Sequence, residues 1–332
     1  MIEMAEQDRI VLGTRGSALA LAQAGMVEEA LCSAFPGLEV ERRIIRTTGD
    51  QRTDVPLSEV ARASHLDKGV FIKELEVALQ EGEIDVAVHS LKDMPSFLEE
   101  GFSIGAVLPR ASFRDVLIAK EPGGLGGLGE GATVATSSVR RQRLLHSLRP
   151  DLKIVDIRGN VPTRIRKLHE SPKIDGILLA QAGLMRLGLL RDGVVESEGK
   201  IAHAEELDEE SFVPAAGQGA VALEIRSGDE GMRSMCEAVN DKESMLIVRA
   251  ERSFLALLGA GCETPVGVIG KVIRDDDGAE VTGMIRMRAV VFEDGEADPL
   301  IGEVSGEGDD AEGLAEQLLE TLKHGGDAGG ER

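Results

Sequence analysis

Short apolar runs alternate with longer stretches of helical spacing in the N-terminal part of the chain. Residues 9 to 13 predict a strand, and residues 18 to about 34 predict a helix with Ser17 as its N-cap. Two further apolar runs, at 38 to 46 and 84 to 88, predict strands with a helix before the second of them. Strands that alternate with helices favour an α/β domain built on a mostly parallel sheet.

The apolar run from Ile84 to Val88 changes abruptly into polar residues. His89, Ser90, Lys92 and Asp93 follow it directly, before a proline. A buried strand that ends in this way places polar side chains at its carboxyl end, where ligands bind in open α/β sheets. Asp93 is therefore a candidate catalytic carboxylate, although aspartate is equally typical of a plain turn or cap.

The strand-turn-helix pattern occurs a second time. Residues 133 to 135 predict a strand that leads into a polar turn and a helix ending near Leu148, and 174 to 179 repeat the character of 84 to 88. Two similar periplasmic-binding-protein-like α/β domains that flank a cleft would produce both repeats. The glycine-dense segment 123 to 131 matches G-x-G-x-x-G, but the strand predicted after it favours a flexible loop over a dinucleotide site.

The C-terminal part has a different pattern. Residues 212 to 219 are rich in proline and glycine and predict a crossing back to the first domain. A helix from 242 to about 258 and three alternating runs then predict a small α+β domain with an antiparallel sheet. The predicted domains are 9–108 with 219–239 (domain 1), 109–218 (domain 2) and 240–323 (domain 3), followed by a disordered tail at 324–332.

Composition and charge narrow the function. The chain of 332 residues carries 59 acidic and 37 basic side chains, a net charge of −22, which argues against nucleic acid as a partner. No apolar run approaches the roughly 18 residues of a membrane span, and the polar start predicts a cytoplasmic protein without a membrane partner. Three distant cysteines and scattered histidines predict no disulfide framework and no metal site, and nothing requires more than a monomer.

Basic residues are concentrated between 137 and 168, where nine basic side chains face two acidic ones, a local charge of 9 − 2 = +7. Arg140 and Arg141 follow Ser138 in the first turn of the predicted helix, where a positive charge opposes the helix dipole. An anionic ligand at that turn, with Ser138 and free amides as further donors, would reverse the sign. Exposure to solvent or pairing with acidic neighbours is the open alternative.

Seven motifs, in order, carry a resemblance to a known family. They are T-R-G-S (14 to 17), K-G-V-F-I-K-E-L-E (68 to 76), A-V-H-S-L-K-D-M-P (87 to 95), T-S-S-V-R-R-Q (136 to 142), R-G-N-V (158 to 161), P-A-A-G-Q-G-A (214 to 220) and G-A-G-C-E-T-P (259 to 265). Together they resemble the porphobilinogen deaminase (hydroxymethylbilane synthase) family from about residue 9 to 323. One departure is Ala260, where the family usually has a glycine.

The resemblance implies a three-domain transferase of tetrapyrrole biosynthesis that joins four porphobilinogen molecules into hydroxymethylbilane and releases ammonia. It also implies a covalently attached dipyrromethane cofactor as primer. Taken alone, Cys262 would be interpreted as a structural cysteine; the resemblance makes it the attachment site. Loss of ammonia from an aminomethylpyrrole leaves a cation, and the resemblance makes Asp93 the catalytic carboxylate that stabilises it.

Further roles follow from the same resemblance. The residues that it assigns to the cofactor are Cys262 (thioether), Lys92, Asp93, Ser138, Arg140, Arg141 and Arg158. Those that it assigns to the substrate are Arg15, Ser17, Lys68, Ser90, Arg164, Arg186 and Gln218. The segment 47 to 67 would be a mobile loop. The main alternative is a non-catalytic, two-lobed binding protein for anionic solutes, which would share the repeated domains but has no need of Cys262.

Overall fold

The structure is a computed structural model that describes residues 8–51, 72–261, 264–274, 281–293 and 298–325. Its internal contacts divide the chain into two units. One comprises Met1–Ala111 with Ala220–Met245, and the other comprises Ser112–Gly219 with Leu246–Arg332.

The strands and helices are numbered separately in chain order. The strands are β1 (Arg9–Thr14), β2 (Glu39–Ile44), β3 (Val86–Ser90), β4 (Phe102–Val107), β5 (Asp115–Ala119), β6 (Thr133–Ala135), β7 (Lys153–Val155), β8 (Gly176–Ala180), β9 (Leu190–Arg191), β10 (Val194–Ser197), β11 (Lys200–Glu206), β12 (Val221–Arg226), β13 (Val266–Arg274), β14 (Val281–Val291) and β15 (Leu300–Glu307). The helices are α1 (Ala18–Ala34), α2 (Thr48–Gln51), α3 (Lys73–Gln80), α4 (Gly124–Gly127), α5 (Val139–Leu148), α6 (Val161–Glu170), α7 (Gln181–Arg186), α8 (Glu230–Val239), α9 (Lys242–Leu257) and α10 (Ala311–Gly325), with a 3-10 turn at Leu91–Asp93.

The first unit is built on a sheet of strand order β2-β1-β3-β12-β4. Strands β2, β1 and β3 run parallel, and β12 lies antiparallel between β3 and β4. The chain after residue 219 therefore adds a strand to the same sheet as β1 and β3. Helices α1 and α8 bury apolar side chains against this sheet, with Val27, Leu31 and Met232 fully covered.

The second unit contains a sheet of order β7-β6-β8-β5-β11-β10-β9. Strands β7, β6 and β8 are parallel, and β5 pairs antiparallel with β8. This arrangement repeats β2-β1-β3-β12 of the first unit strand for strand. The two repeats predicted from the sequence are confirmed. Strands β1 and β6 each stand second in their sheets, and β3 and β8 each stand third.

A separate antiparallel sheet, β13-β14-β15, completes the second unit. Helices α9 and α10 cover it, and Phe254, Leu314 and Leu318 form the buried centre of this layer. The fold class predicted from the sequence, two periplasmic-binding-protein-like α/β sheets and a smaller α+β part with an antiparallel sheet, is confirmed.

The structure differs from the predictions in three places. Strand β3 begins two residues later than predicted and takes in Ser90, because Ser90 pairs with Val221 of β12. The glycine-dense segment forms one helical turn, α4, instead of a flexible loop, and the Arg149 guanidinium binds the carbonyls of Leu125 and Leu128 there. Helix α10 extends to Gly325, into the predicted tail, whose remainder lies outside the described residues.

Candidate active site

A polar cavity lies at the carboxyl ends of β1 and β3 in the first unit. Arg15, Ser17, Gln23, Ser90 and Asp93 line it, and the other lining residues are apolar apart from His89. The chain folds this way because β1 leads directly into α1, whose N-cap is Ser17; the Ser17 hydroxyl accepts a hydrogen bond from the amide of Ala20 at 3.2 Å. Four predicted site residues, all except Gln23, thus meet in one cavity.

Gln23 is the member of this cavity that the sequence analysis missed. Its side chain is 3% exposed, and its amide contacts the Ser90 hydroxyl through both polar atoms, at 2.8 Å from Nε2 and 3.1 Å from Oε1. Both contacts come from one carboxamide group, and when Ser90 accepts the shorter bond from Nε2, its own proton can be donated to a ligand. Gln23 therefore orients the Ser90 hydroxyl at the end of β3.

Asp93 ends the 3-10 turn that follows β3, and its side chain is exposed. The turn closes with a hydrogen bond from the amide of Met94 to the carbonyl of Leu91 at 3.0 Å. Lys92, in the same turn, is half-buried and is not among the residues lining the cavity. A short hydrogen-bonded turn thus presents the Asp93 carboxylate at the cavity while the strand behind it is buried.

In the second unit, the first turn of α5 and its N-cap hold the predicted cofactor contacts Ser138, Arg140 and Arg141. Ser138 is the N-cap of α5. Both arginines are almost fully buried, at 5% and 6% exposure. The sequence left open whether these side chains meet a ligand, solvent or an acidic neighbour, and both of them pair with an acidic neighbour.

That neighbour is Asp115, at the start of β5 and fully buried. Its Oδ1 accepts hydrogen bonds from Nε and Nη2 of Arg141 at 3.0 and 2.6 Å, and its Oδ2 lies 2.8 Å from Nη1 of Arg140. The Gln218 amide donates to the same Oδ1 at 3.0 Å. Three predicted site residues therefore converge on one carboxylate that the sequence analysis did not single out.

Loss of hydration on burial is the largest influence on the pKa of Arg140. Burial lowers the pKa of its guanidinium, Asp115 opposes the shift, and the neighbouring charge of Arg141 adds to it. Two guanidinium groups share one carboxylate, so the three side chains carry a net charge of 2 − 1 = +1. A buried positive charge of this kind favours an anionic ligand.

The crossing segment 212–219 lies against this turn. Arg140 donates to the carbonyl of Val213 at 2.7 Å, and Arg186, at the end of α7, donates to the carbonyl of Gly219 at 2.7 Å. Burial lowers the pKa of Arg186, and its Nε is buried without a hydrogen-bond partner among the described residues. An orphaned guanidinium nitrogen of this kind suits a bound carboxylate.

Arg158 and Arg164 lie around the turn that begins α6. Arg164 donates through Nε to the carbonyl of Gly159 at 2.7 Å, and Asn160 caps the helix by accepting from the amide of Thr163 at 3.0 Å. Gly159 has a φ of +118°, a backbone conformation that disfavours other residues. Burial lowers the pKa of the half-buried Arg158, and Asp156 opposes that shift.

Two predicted site residues, Cys262 and Lys68, lie outside the described residues, as do Phe71 and most of the segment 47–67. Across the described ranges, no group of three or more His, Cys, Asp or Glu side chains is placed to hold a metal ion. None of the described helices is long and apolar enough to cross a membrane.

Of the buried carboxylates missed by the sequence analysis, Glu251 left a signal in the sequence and Asp115 did not. Glu251 is fully buried, and its carboxylate accepts from the amides of Gly217 and Gly270 at 2.7 and 2.8 Å. Its position on the apolar face of α9, between buried Val248 and Phe254, was a detectable signal, because a buried carboxylate needs specific partners. The sequence around Asp115 gives no such signal, because the adjacent Arg114 makes the pair resemble two ordinary surface charges.

Comparison with known families accounts for nearly the whole described chain. Residues 10–234 match the model of the porphobilinogen deaminase dipyrromethane cofactor binding domain, and residues 245–324 match that of the porphobilinogen deaminase C-terminal domain. Among solved structures, the methionine binding protein MetQ is similar, with a TM-score of 0.42 and 14% identity over 72% of this chain and 93% of that chain.

The fold and the arginine-rich site define an α/β protein with a site suited to an organic anion. Curated relatives give the particular family. The porphobilinogen deaminase of Thermus thermophilus is 42% identical over 318 residues, 96% of each chain, and that of Roseiflexus castenholzii is 40% identical over 325 residues, 98% of each chain. That of Syntrophobacter fumaroxidans is 43% identical over 261 residues, 78% of this chain and 79% of its own. This chain belongs to the porphobilinogen deaminase family.

Proposed function

We propose that this chain joins four porphobilinogen molecules head to tail into hydroxymethylbilane, with Asp93 as the catalytic residue. The activity follows from family membership. The chain is a transferase of tetrapyrrole biosynthesis, acts on porphobilinogen and uses a dipyrromethane cofactor. The single observation that supports the role of Asp93 is its position in a cavity that Arg15, Ser17 and Ser90 also line.

The second unit fits a cofactor that carries acetate and propionate groups. The cluster of Arg140, Arg141 and Asp115 has one surplus positive charge, and Arg186 has a buried nitrogen without a partner among the described residues. We assign Lys92, Asp93, Ser138, Arg140, Arg141 and Arg158 to holding the cofactor, and Cys262 to its covalent attachment. When bound, the cofactor supplies the primer to which the first porphobilinogen is joined.

The predicted site residues that line the cavity of the first unit then have distinct chemical roles. Arg15, Ser17 and Ser90 bind and orient the carboxylates of porphobilinogen, since guanidinium and hydroxyl groups are the natural partners of carboxylates. When ammonia leaves, positive charge develops on the substrate, and the Asp93 carboxylate stabilises it because it is already in place. Lys68, Arg164, Arg186 and Gln218 are proposed as further contacts to the anionic substrate.

We also propose the organisation of the protein around these sites. The division into domain 1 (9–108 with 219–239), domain 2 (109–218) and domain 3 (240–323) rests on the change of pattern along the sequence. The family models, which separate near residue 240, support the last boundary. A cytoplasmic monomer is the simplest form for such an enzyme, and size-exclusion chromatography with light scattering tests the monomer.

Turnover by an Asp93→Ala variant tests the proposed mechanism. We expect the unmodified protein to consume porphobilinogen and release one ammonia per molecule. Asp93→Ala should lower kcat by about 10²- to 10³-fold, because the stabilising charge is lost, while folding is unchanged. The control is Glu100→Ala, which removes an exposed carboxylate from the same unit and should keep near-normal turnover.

Two results would contradict the proposal. Near-normal turnover by Asp93→Ala would remove Asp93 from the mechanism. Tight binding of porphobilinogen by the unmodified protein, without consumption, would support a binding protein instead of an enzyme.

A further inference from the structure

We infer that Asp115 is a positioning residue that gives the two adjacent arginines different tasks in holding the cofactor: Arg141 is anchored to the protein and supports the site, and Arg140 presents Nε and Nη2 to the ligand. The inference rests on the proposed role of this turn in holding the cofactor. It goes beyond that role because it names the residue that arranges the turn and distinguishes two side chains of the same type.

Arg141 is hydrogen-bonded to the protein through all three nitrogens of its guanidinium. Its Nε and Nη2 both donate to Oδ1 of Asp115, at 3.0 and 2.6 Å, and its Nη1 donates to the carbonyl of Leu178 at 2.9 Å. Each nitrogen of this guanidinium therefore donates a hydrogen bond within the protein, which uses three of its five N–H groups. Since a planar guanidinium bound at three points cannot rotate, Arg141 acts as a fixed support of the turn.

Arg140 is held differently. Its contacts with the carbonyl of Val213, at 2.7 Å, and with Oδ2 of Asp115, at 2.8 Å, both involve Nη1. Within the described part of the chain, no polar contact is made by its Nε or Nη2. Arg140 is thus fixed at one edge and keeps the other edge of its guanidinium for a bidentate contact with a ligand carboxylate.

Asp115 makes this arrangement possible. The two adjacent guanidinium groups are only 5% and 6% exposed, so they have lost most of their hydration and also repel each other. A nearby negative charge is needed to compensate for both effects. The turn also stands at the N-terminus of α5, where the helix dipole disfavours positive charge. The fully buried Asp115 offsets both costs, and the hydrogen bonds from Gln218 to Asp115 and to the carbonyl of Phe113 hold the carboxylate side of the cluster.

Three variants test the inference in the full-length protein. Asp115→Asn removes the charge, Asp115→Glu keeps it but moves it by one methylene, and Asp151→Asn is a matched control. Asp151 pairs with Arg149, 2.7 Å away, just beyond the opposite end of α5. Each variant is measured for its unfolding midpoint in urea, for the fraction of molecules that carry the dipyrromethane mass, and for KM and kcat with porphobilinogen.

We expect Asp115→Asn to lower the cofactor-loaded fraction or raise KM by about tenfold, the size of one lost charge-assisted hydrogen bond. Asp115→Glu should fold with a midpoint near that of the unmodified protein and still raise KM, because the charge is retained but the geometry is not. Asp151→Asn should leave loading and KM within about twofold of normal. If Asp115→Asn fails to fold, the Asp115→Glu result decides.

The inference is overturned if Asp115→Glu, or a folded Asp115→Asn, keeps normal loading and KM and only lowers the urea midpoint. NMR of protein labelled with ¹⁵N-arginine gives a readout that does not need activity. A slowly exchanging Arg141 Nε–H signal that is lost in Asp115→Asn supports the anchoring, and a rapidly exchanging signal in the unmodified protein refutes it. Failure of the proposed function would appear separately, as absence of porphobilinogen turnover by the unmodified protein.

Discussion

Replacing Glu251 tests how helix α9 holds the crossing segment that carries Gln218. The Glu251 side chain is fully buried, and its two oxygens accept hydrogen bonds from the amides of Gly217, at 2.7 Å, and Gly270, at 2.8 Å. Glu251→Ala leaves both buried amides without these acceptors. Since each unpaired buried donor costs about 1–3 kcal/mol, we expect a loss of about 2–6 kcal/mol in the free energy of unfolding.

A graded series makes this prediction more specific. Glu251→Gln keeps one carbonyl acceptor but places a donor against the other amide, so we expect about half of the loss, roughly 1–3 kcal/mol. Glu316→Ala, an exposed position on α10, is the control and should change stability by less than about 0.5 kcal/mol. Urea unfolding gives the free energies, and hydrogen exchange of peptides containing Gly217 and Gly270 shows whether their amides lose protection.

The reasoning would be refuted if Glu251→Ala cost less than about 1 kcal/mol, the lower end for a single unpaired donor. Unchanged exchange at Gly217 in that variant would be equally damaging. Such results would mean that the crossing segment is held by other contacts, and that α9 contributes only its apolar face.

Three further predictions follow from single contacts. Burial raises the pKa of the Glu209 carboxyl, but hydrogen bonds from Lys271 and Arg114 outweigh burial and lower that pKa to about 2. The carboxylate therefore stabilises the folded protein above its unfolded pKa, and this contribution is lost as the pH falls towards 2. The stability difference between unmodified protein and Glu209→Gln should shrink between pH 5 and pH 2 in urea titrations. Gly159→Ala should lower the free energy of unfolding in urea by about 1–3 kcal/mol, because φ is +118° and an added Cβ would meet Thr163 at 2.7 Å. Gln23→Leu should raise KM for porphobilinogen by roughly three- to tenfold with normal folding, because Ser90 loses its two contacts; an unchanged KM would show that Ser90 needs no support.

The sequence predicted elements best where local signals and tertiary structure agreed. Apolar runs marked the strands of both α/β sheets, and Ser17 was recognised as the cap of α1 because capping depends on neighbouring amides. The equivalent strand-turn-helix units were detectable because each sheet uses the same order of strands. Boundaries were less certain, since the end of β3 depends on its pairing with β12, far away in the chain.

The site was predicted less completely, for a physical reason. Its arginines were visible as a local excess of positive charge, but the partner that orders them, Asp115, lies more than twenty residues before them in the chain. Sequence alone left open whether Arg140 and Arg141 face solvent, a ligand or an acid, because that depends on burial. Gln23 and Glu251 were missed for the same reason: their importance comes from what they contact across the fold.

The most direct test of the account is the intact mass of the purified protein compared with that of Cys262→Ala. We predict that the unmodified protein, matured in the presence of porphobilinogen, exceeds its polypeptide mass by two pyrrole units. The excess should be absent from Cys262→Ala. A bare polypeptide mass for the unmodified protein, or the same excess on the variant, would contradict the account.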